Sequence, residues 1–167
     1  MNSGGEYMFR IGHSVDIHRL VENRKLMLGG IEIPYELGLL GHSDADVLLH
    51  AISEAIIGAL ALGDLGTFFP DNDPKYKDID SKILTKEIVS IMESKGYEVN
   101  NLDCLLILEK PKMRPHIDNI RKSISELLHT DIDNVNVKAT TNEKMGEIGR
   151  GEAIQAHAVI LLRKKVM

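Results

Sequence analysis

The sequence predicts an α/β (α+β) domain, and three observations carry that expectation. Short apolar stretches with a strand-like pattern fall at about 8–18, 101–108, 134–140 and 153–162. Between them lie three longer stretches, at about 46–62, 81–95 and 117–128, whose apolar residues recur at helical spacing. A further pair of short apolar runs is divided by Gly29-Gly30, the signal for a tight hairpin whose central residues need positive φ. At 167 residues the chain suits one domain with one core. Residues 1–8, with Gly-Gly and no apolar periodicity, read as a flexible leader, which leaves 9–167 as the domain.

Composition narrows the function classes. Hydrophobic content of 43% and charged content of 27% are those of an ordinary globular protein. A net charge of -5 and a pI near 5.8 argue against a general nucleic-acid binder, so an anionic ligand would have to be met by local groups. No apolar run reaches the roughly eighteen residues of a membrane span, and the N-terminus lacks the basic-then-apolar pattern of a signal peptide. No membrane partner is expected, and a cytoplasmic location is. The single cysteine, Cys104, sits in the apolar run Leu102 to Leu108, where a packed thiol is the expected state.

Taken in order, MFRIGHSVDIH (Met8 to His18) is expected as a strand. The two-residue side-chain period then places Asp16 and His18 on the same side. With His50, a carboxylate and two imidazoles make a three-ligand set for a divalent metal, and zinc is the first choice because such a set leaves a fourth tetrahedral position open. Lys25 to Pro34 gives the hairpin. Gly38 and Gly41 mark a mobile loop that carries His42 and Ser43, which could close on a ligand. Ser43 or Asp44 is expected to cap the next helix, which is apolar almost all round. Its one polar stripe is Asp46, His50 and Glu54, and Asp46 or Glu54 could fix the imidazole's tautomer.

Gly63 or Gly66 is expected to end that helix as a left-handed cap. The Pro-, Asn- and Asp-rich stretch after it reads as a functional surface loop, in which Asp64, Asp71 and Asp73 could bind hydroxyl groups or a metal; the EF-hand spacing is absent. Leu84, Ile88, Ile91 and Met92 define the face of a second helix that Gly96 ends. Lys110-Pro111-Lys112-Met113-Arg114-Pro115 is a locally basic turn, suited to a phosphate or nucleotide or else simply solvated. Ile117, Ile120, Ile124, Leu127 and Leu128 define the third helix. Beyond the strand at Asn134 to Thr140, the hydroxyls, Glu143, Lys144, Arg150 and several glycines make a phosphate-holding loop that is not a P-loop.

From about Phe9 to Lys164 the chain resembles the 2-C-methyl-D-erythritol 2,4-cyclodiphosphate synthase family. The motifs that carry the resemblance are RIGHSVDIHR, GGIEIPYELGLLGHSDADVLLHAISEA, ALGDLGTFFPD, KPKM, VNVKATTNEKMG and GRGE, in this order and spacing. The resemblance implies an α/β sandwich with a four-stranded main sheet backed by helices and a small hairpin. It also implies a homotrimer with active sites between subunits.

The resemblance places the family's zinc ligands on Asp16, His18 and His50, one ion per subunit, with a magnesium or manganese ion at Glu143. It gives His42 and Ser43 a role at the substrate diphosphate, and Asp64, Leu65 and Gly66 a role in holding the substrate. Phe69 to Asp73, including Asp71, would line its methylerythritol end. Leu108, Lys112, Met113 and Arg114 would receive the cytidine, and Thr140, Thr141, Asn142 and Glu143 the phosphates, with Arg150 near them. His42 and Thr141 are the candidates for direct help at the reacting phosphate. The implied reaction closes a cyclic diphosphate and expels CMP. A zinc-dependent phosphohydrolase is the alternative that the same ligand set allows.

Three positions depart from the family pattern: Glu54 where Asp is common, Glu147 where Phe is common, and Asn142 where Thr is common. In the family, residues matching Arg150 and His157 border a cavity on the trimer axis that can hold an isoprenoid diphosphate. His157 here replaces a Glu.

Overall fold

Strand β1, Phe9–Val21, pairs antiparallel along its length with the last strand of the chain, β7 (Ala153–Lys164), and sets the frame for everything else. The computed structural model describes residues 8–70 and 78–166. After β1 come the hairpin strands β2 (Leu26–Leu28) and β3 (Ile31–Ile33), the two-residue β4 (Gly38–Leu39), helix α1 (Val47–Ala59), the single-turn α2 (Leu65–Phe68) and helix α3 (Ser81–Ser94). The second half holds β5 (Tyr97–Ile107), α4 (Ile117–Leu127), a 3-10 turn (Ile132–Asn134), β6 (Val135–Thr140) and the short α5 (Gly146–Gly149), and then β7.

The main sheet has five strands in the order β4-β1-β7-β5-β6, rather than the four expected. The extra strand is β4, which pairs Leu39 with Leu20 and Gly38 with Val21 at the end of β1. Two residues are too few to show any period, so the sequence pattern reads them as loop. β5 and β6 run parallel, which requires the crossover that α4 supplies; the other pairings are antiparallel. The hairpin β2-β3 forms as the Gly-Gly signal predicts, with Gly29 at φ +64 and Gly30 at φ +82.

One face of the sheet is buried under helices. Ile154, Ala156, Ala158, Ile160 and Leu162 of β7 alternate inward, as do Leu102, Cys104 and Leu106 of β5, and they join one cluster with the apolar residues of α1, α3 and α4. Burial pushes the Cys104 thiol well above its ordinary pKa, as expected of an inert packed thiol. Helix α1 lies directly on β1 at Gly12, where a Cβ would stand 1.8 Å from the Ala55 carbonyl oxygen. That approach sets the height of α1 over the strand. On the other face Phe9, Ile11, Val15, Ile17 and Val159 remain exposed, Ile11 to 70%.

Two expected caps are corrected. The N-cap of α1 is Asp46, whose buried carboxyl accepts from the N–H groups of Leu49 (3.0 Å), Gly29 (2.9 Å) and Gly30 (2.7 Å). It closes the helix and ties the hairpin turn to it in one contact. At the other end Ala61, at φ +56, takes the left-handed position expected of Gly63 or Gly66. The Leu62 N–H bonds the Ile57 carbonyl and the Ala61 N–H that of Gly58, a Schellman closure built on alanine.

Candidate metal centre and a second cleft

Asp16 and His18 point from β1 toward α1, and His50 comes down from α1 to meet them. Three atoms converge: Asp16 Oδ2 lies 2.9 Å from His18 Nε2 and 3.3 Å from His50 Nδ1, and the two nitrogens are 3.2 Å apart. Ligands of a tetrahedral ion at about 2.0–2.1 Å stand about 3.3 Å from one another, so the three atoms already span one face of such a tetrahedron. The trio is the one His/Cys/Asp/Glu group among the described residues arranged to hold a metal. It opens on a cleft of about 550 Å³ that also includes Ser14, His42, Ser43, Glu54, Leu65 and Phe69.

The outer nitrogen of each imidazole has its own partner. His18 Nδ1 lies 3.0 Å from the Leu40 carbonyl, which can only accept, so Nδ1 carries a proton and Nε2, the nitrogen turned toward Asp16 and His50, is the one left to hold a metal once it is deprotonated. His50 Nε2 lies 3.0 Å from Ser81 Oγ and 3.1 Å from Ser43 Oγ, and Ser81 Oγ lies 2.5 Å from Asp44 Oδ1. The expected partners are corrected. Asp46 spends its oxygens on backbone N–H groups, and Glu54 accepts from the Leu65 N–H at 2.7 Å, so neither reaches His50. Asp44 is not a cap but the far end of the Ser81 contact.

The loop expected to be mobile is stitched down. Arg24 Nη2 donates to the Ser43 carbonyl at 2.6 Å, the Asp44 N–H to the Ile79 carbonyl at 3.0 Å, and the Asp78 N–H to the His42 carbonyl at 2.7 Å. Ser43 is buried, with its hydroxyl against the imidazole rather than projecting far into the cleft.

Electrostatics match a cation site. Burial pushes the Asp16 carboxyl up, but hydrogen bonds and attraction from His18 and His50 outweigh it and hold Asp16 well below the usual carboxylate range. For His18 burial pulls downward, and the bond and charge of Asp16 more than reverse it, leaving its pKa raised. Burial raises Glu54, which faces the same cleft.

A second cleft, of about 510 Å³, gathers Leu108, Lys112, Met113, Arg114, Thr140 and Thr141, all singled out in the sequence. Leu108 and Met113 are its buried floor. Beside it Glu109 accepts from the N–H groups of Asn142 (3.0 Å) and Lys144 (3.1 Å), while Glu143 and Lys144 both hold positive φ. Glu109 therefore shapes the loop that carries Thr141 and Glu143, a role no sequence pattern signals. Ile17, Gln155, Ile107 and Thr140 form one row across the sheet, so Thr140 stands three strands from β1, about 14 Å at roughly 4.8 Å per strand.

Other expected site residues fall elsewhere. Asp64 caps α2 through its Thr67 bonds, next to Leu65 and Gly66 of the first cleft. Asn142 Nδ2 donates to the Met145 carbonyl, and Arg150 is forked onto Glu152 at 2.8 and 3.2 Å; neither lines either of these two clefts. Asp71 and Asp73 lie outside the described residues.

Fold and site together define an α/β protein with a three-ligand centre suited to a divalent metal. The YgbB family model matches residues 9–163, and the chain belongs to that family. It is 59% identical over 158 residues to the 2-C-methyl-D-erythritol 2,4-cyclodiphosphate synthase of Bacillus cytotoxicus, covering 95% of this chain and 100% of that one. Among solved structures it matches IspF of Plasmodium falciparum in complex with CDP (37% identity, TM-score 0.84, 96% and 100% of the two chains). It also matches the bifunctional IspDF of Campylobacter jejuni (36%, TM-score 0.91), covering 96% of this chain but 43% of that longer one. No helix among the described residues is long and apolar enough to cross a membrane.

Proposed function

We propose that residues 9–167 form one synthase domain. It converts 4-diphosphocytidyl-2-C-methyl-D-erythritol 2-phosphate to 2-C-methyl-D-erythritol 2,4-cyclodiphosphate and CMP, a step of non-mevalonate isoprenoid biosynthesis. The convergence of Asp16, His18 and His50 in one cleft, within a family whose relatives carry this name, is the observation that carries the reading. An oxygen of the 2-phosphate attacks the β-phosphorus, the bond from that phosphorus to the bridging oxygen breaks, and CMP leaves with the electron pair. Zinc on the triad, and magnesium or manganese at Glu143, would supply the positive charge that lets two anionic groups approach.

The chain's own residues do the rest by positioning. His42, on a loop tied at both Ser43 and Asp78, meets the diphosphate beside the triad. Leu65, Gly66 and Phe69 hold the methylerythritol end. Leu108, Met113 and the basic Lys112 and Arg114 receive the cytidine and its phosphates, a role in keeping with the CDP bound by the Plasmodium relative. The Thr141 hydroxyl donates to a phosphate oxygen.

The active protein is a homotrimer with each site shared between neighbours. On one chain the row from Ile17, between Asp16 and His18, to Thr140 spans three strand spacings, about 14 Å, a long reach for one diphosphate, and the exposed Ile11, Val15 and Ile17 are side chains that assembly would cover. An isoprenoid diphosphate on the trimer axis belongs to the same reading. His157 and His13, with ring centroids 6.1 Å apart on the open face, support it, whereas Arg150 is already engaged by Glu152. The test is to incubate the protein with the cytidyl substrate, zinc and magnesium and to follow phosphorus resonances. CMP and a cyclic diphosphate must appear together; inorganic phosphate without the cyclic product would instead establish a phosphohydrolase.

A further inference from the structure

The two imidazoles of the triad are oriented by different means. His18 donates to a backbone carbonyl, Leu40, which no substitution at that position removes. His50 instead turns its outer nitrogen toward side chains contributed by residues 31 and 7 positions away in sequence, Ser81 and Ser43. If His50 Nδ1 holds a metal with its lone pair, the ring proton must sit on Nε2 and needs an acceptor. Ser81 has one hydroxyl proton. It lies 2.5 Å from Asp44 Oδ1, and a carboxylate can only accept, so that proton goes to Asp44 and a lone pair of Ser81 Oγ is left for the imidazole.

The orientation of Asp44 is fixed in turn. Its Oδ2 accepts from the Ser81 N–H at 3.2 Å, its Oδ1 accepts from the Asp46 N–H at 3.2 Å, and its own N–H bonds the Ile79 carbonyl. Ser81 is fully buried. These contacts are more than α3 needs to begin, because Asp80 already caps that helix through the Lys82 N–H.

We propose that Asp44 and Ser81 are positioning residues for the metal-facing imidazole, a carboxylate–hydroxyl–imidazole relay that selects the His50 tautomer and aims Nδ1 at the point where Asp16 and His18 converge. Ser43 takes a lesser part. Its hydroxyl oxygen already accepts from the Ala45 N–H at 3.1 Å, and since the Ser81 proton goes to Asp44, the Ser43 proton is the one available to the 3.3 Å contact between the two hydroxyls, which helps hold Ser81 in place. This inference rests on Asp16, His18 and His50 being a metal site.

The experiment is zinc affinity of the full chain by competition with a chelator, for the wild type, Ser81→Ala, Ser81→Thr, Asp44→Asn and His50→Ala, with melting temperatures recorded on the metal-free proteins. Wild type binds one zinc per chain and His50→Ala loses it. Ser81→Ala and Asp44→Asn each bind about 10- to 100-fold more weakly, and Ser81→Thr restores most of the affinity. In zinc-loaded wild type, nitrogen-15 spectra show His50 protonated on Nε2, with that proton protected from exchange; in Ser81→Ala the protection is gone. Asp44→Asn keeps the side chain's shape and is the decisive variant if Ser81→Ala does not fold. Wild-type affinity in either folded variant overturns the relay, whatever has happened to its melting temperature. A wild type that binds no zinc, or a His50→Ala protein that binds it as well, overturns the metal site itself and the relay with it.

Discussion

The cleft around Asp16, His18 and His50 draws its functional atoms from a long central strand and the helix pressed onto it at Gly12. The cleft between Leu108 and Thr141 draws its atoms from turns and from the end of edge strand β6. In the first, each functional group is fixed by core packing and by a chain of hydrogen bonds running inward. In the second, one carboxylate, Glu109, holds the backbone of a loop whose residues 143 and 144 are both left-handed. Metal–ligand distances hold to about 0.2 Å, which a site fixed by core packing can meet, whereas a pocket made of turns can finish forming around its ligand.

The two clefts differ most in what depends on His50. His50→Ala leaves the core of α1 intact, since His50 is a half-buried residue among buried apolar ones, and removes one of the three proposed ligands. We expect a folded protein whose turnover falls by about 10²- to 10³-fold or more, on the scale of losing a principal charge-stabilising group. Metal content and turnover measured together test this; a variant that keeps both would remove the triad from the chemistry.

Glu109 sharpens the other side. Glu109→Ala leaves the Asn142 and Lys144 N–H groups without their charged acceptor, a loss of about 1.5–3 kcal/mol. The loop loosens, and we expect kcat/KM to fall about 10- to 100-fold through a raised KM, while zinc affinity at the triad is unchanged. If zinc binding weakens as well, the two clefts are coupled through the fold rather than built independently.

Much of the first cleft was legible in the sequence because it follows the two simple periods. Asp16 and His18 share a side by the strand period, and His50 faces the core of a helix whose apolar residues recur all round. What escaped are contacts that no period encodes. Spacing alone pairs Asp46 and Glu54 with His50, but Asp46 sits where unpaired helix N–H groups and the turn of Gly29-Gly30 compete for its oxygens, and the Leu65 N–H captures Glu54. Ser81 meets His50 across 31 residues of chain, and its only sequence signal is that of a helix start. Ala61 in a left-handed position leaves no mark at all, and β4 is too short to leave one. The basic turn at Lys110 drew attention to itself, while the acidic Glu109 beside it holds the loop.

The smallest expected effect is a graded one and concerns protons competing with the metal. Asp16 is held well below the usual carboxylate range and stays ionised at every pH of interest, whereas the raised His18 must give up its proton before Nε2 can bind an ion. Metal affinity therefore falls as pH drops through the raised His18 value, by at most about tenfold per pH unit for one displaced proton. The metal-free protein behaves in the opposite sense. A raised histidine contributes stability that is fully present below its unfolded value of 6.5 and is lost as pH rises through the folded value. A depressed aspartate contributes stability above 3.8 that is lost only as pH falls through its folded value. The Asp16–His18 pair thus supports the metal-free fold most between 3.8 and 6.5, where metal binding is weakest, so the gain in melting temperature on adding zinc should widen as pH rises toward neutrality. Zinc titrations and melting curves from about pH 5.5 to about pH 8.5 test it, since that range brackets an ordinary histidine. An affinity that stays flat across the range would show that His18 gives up no proton on binding.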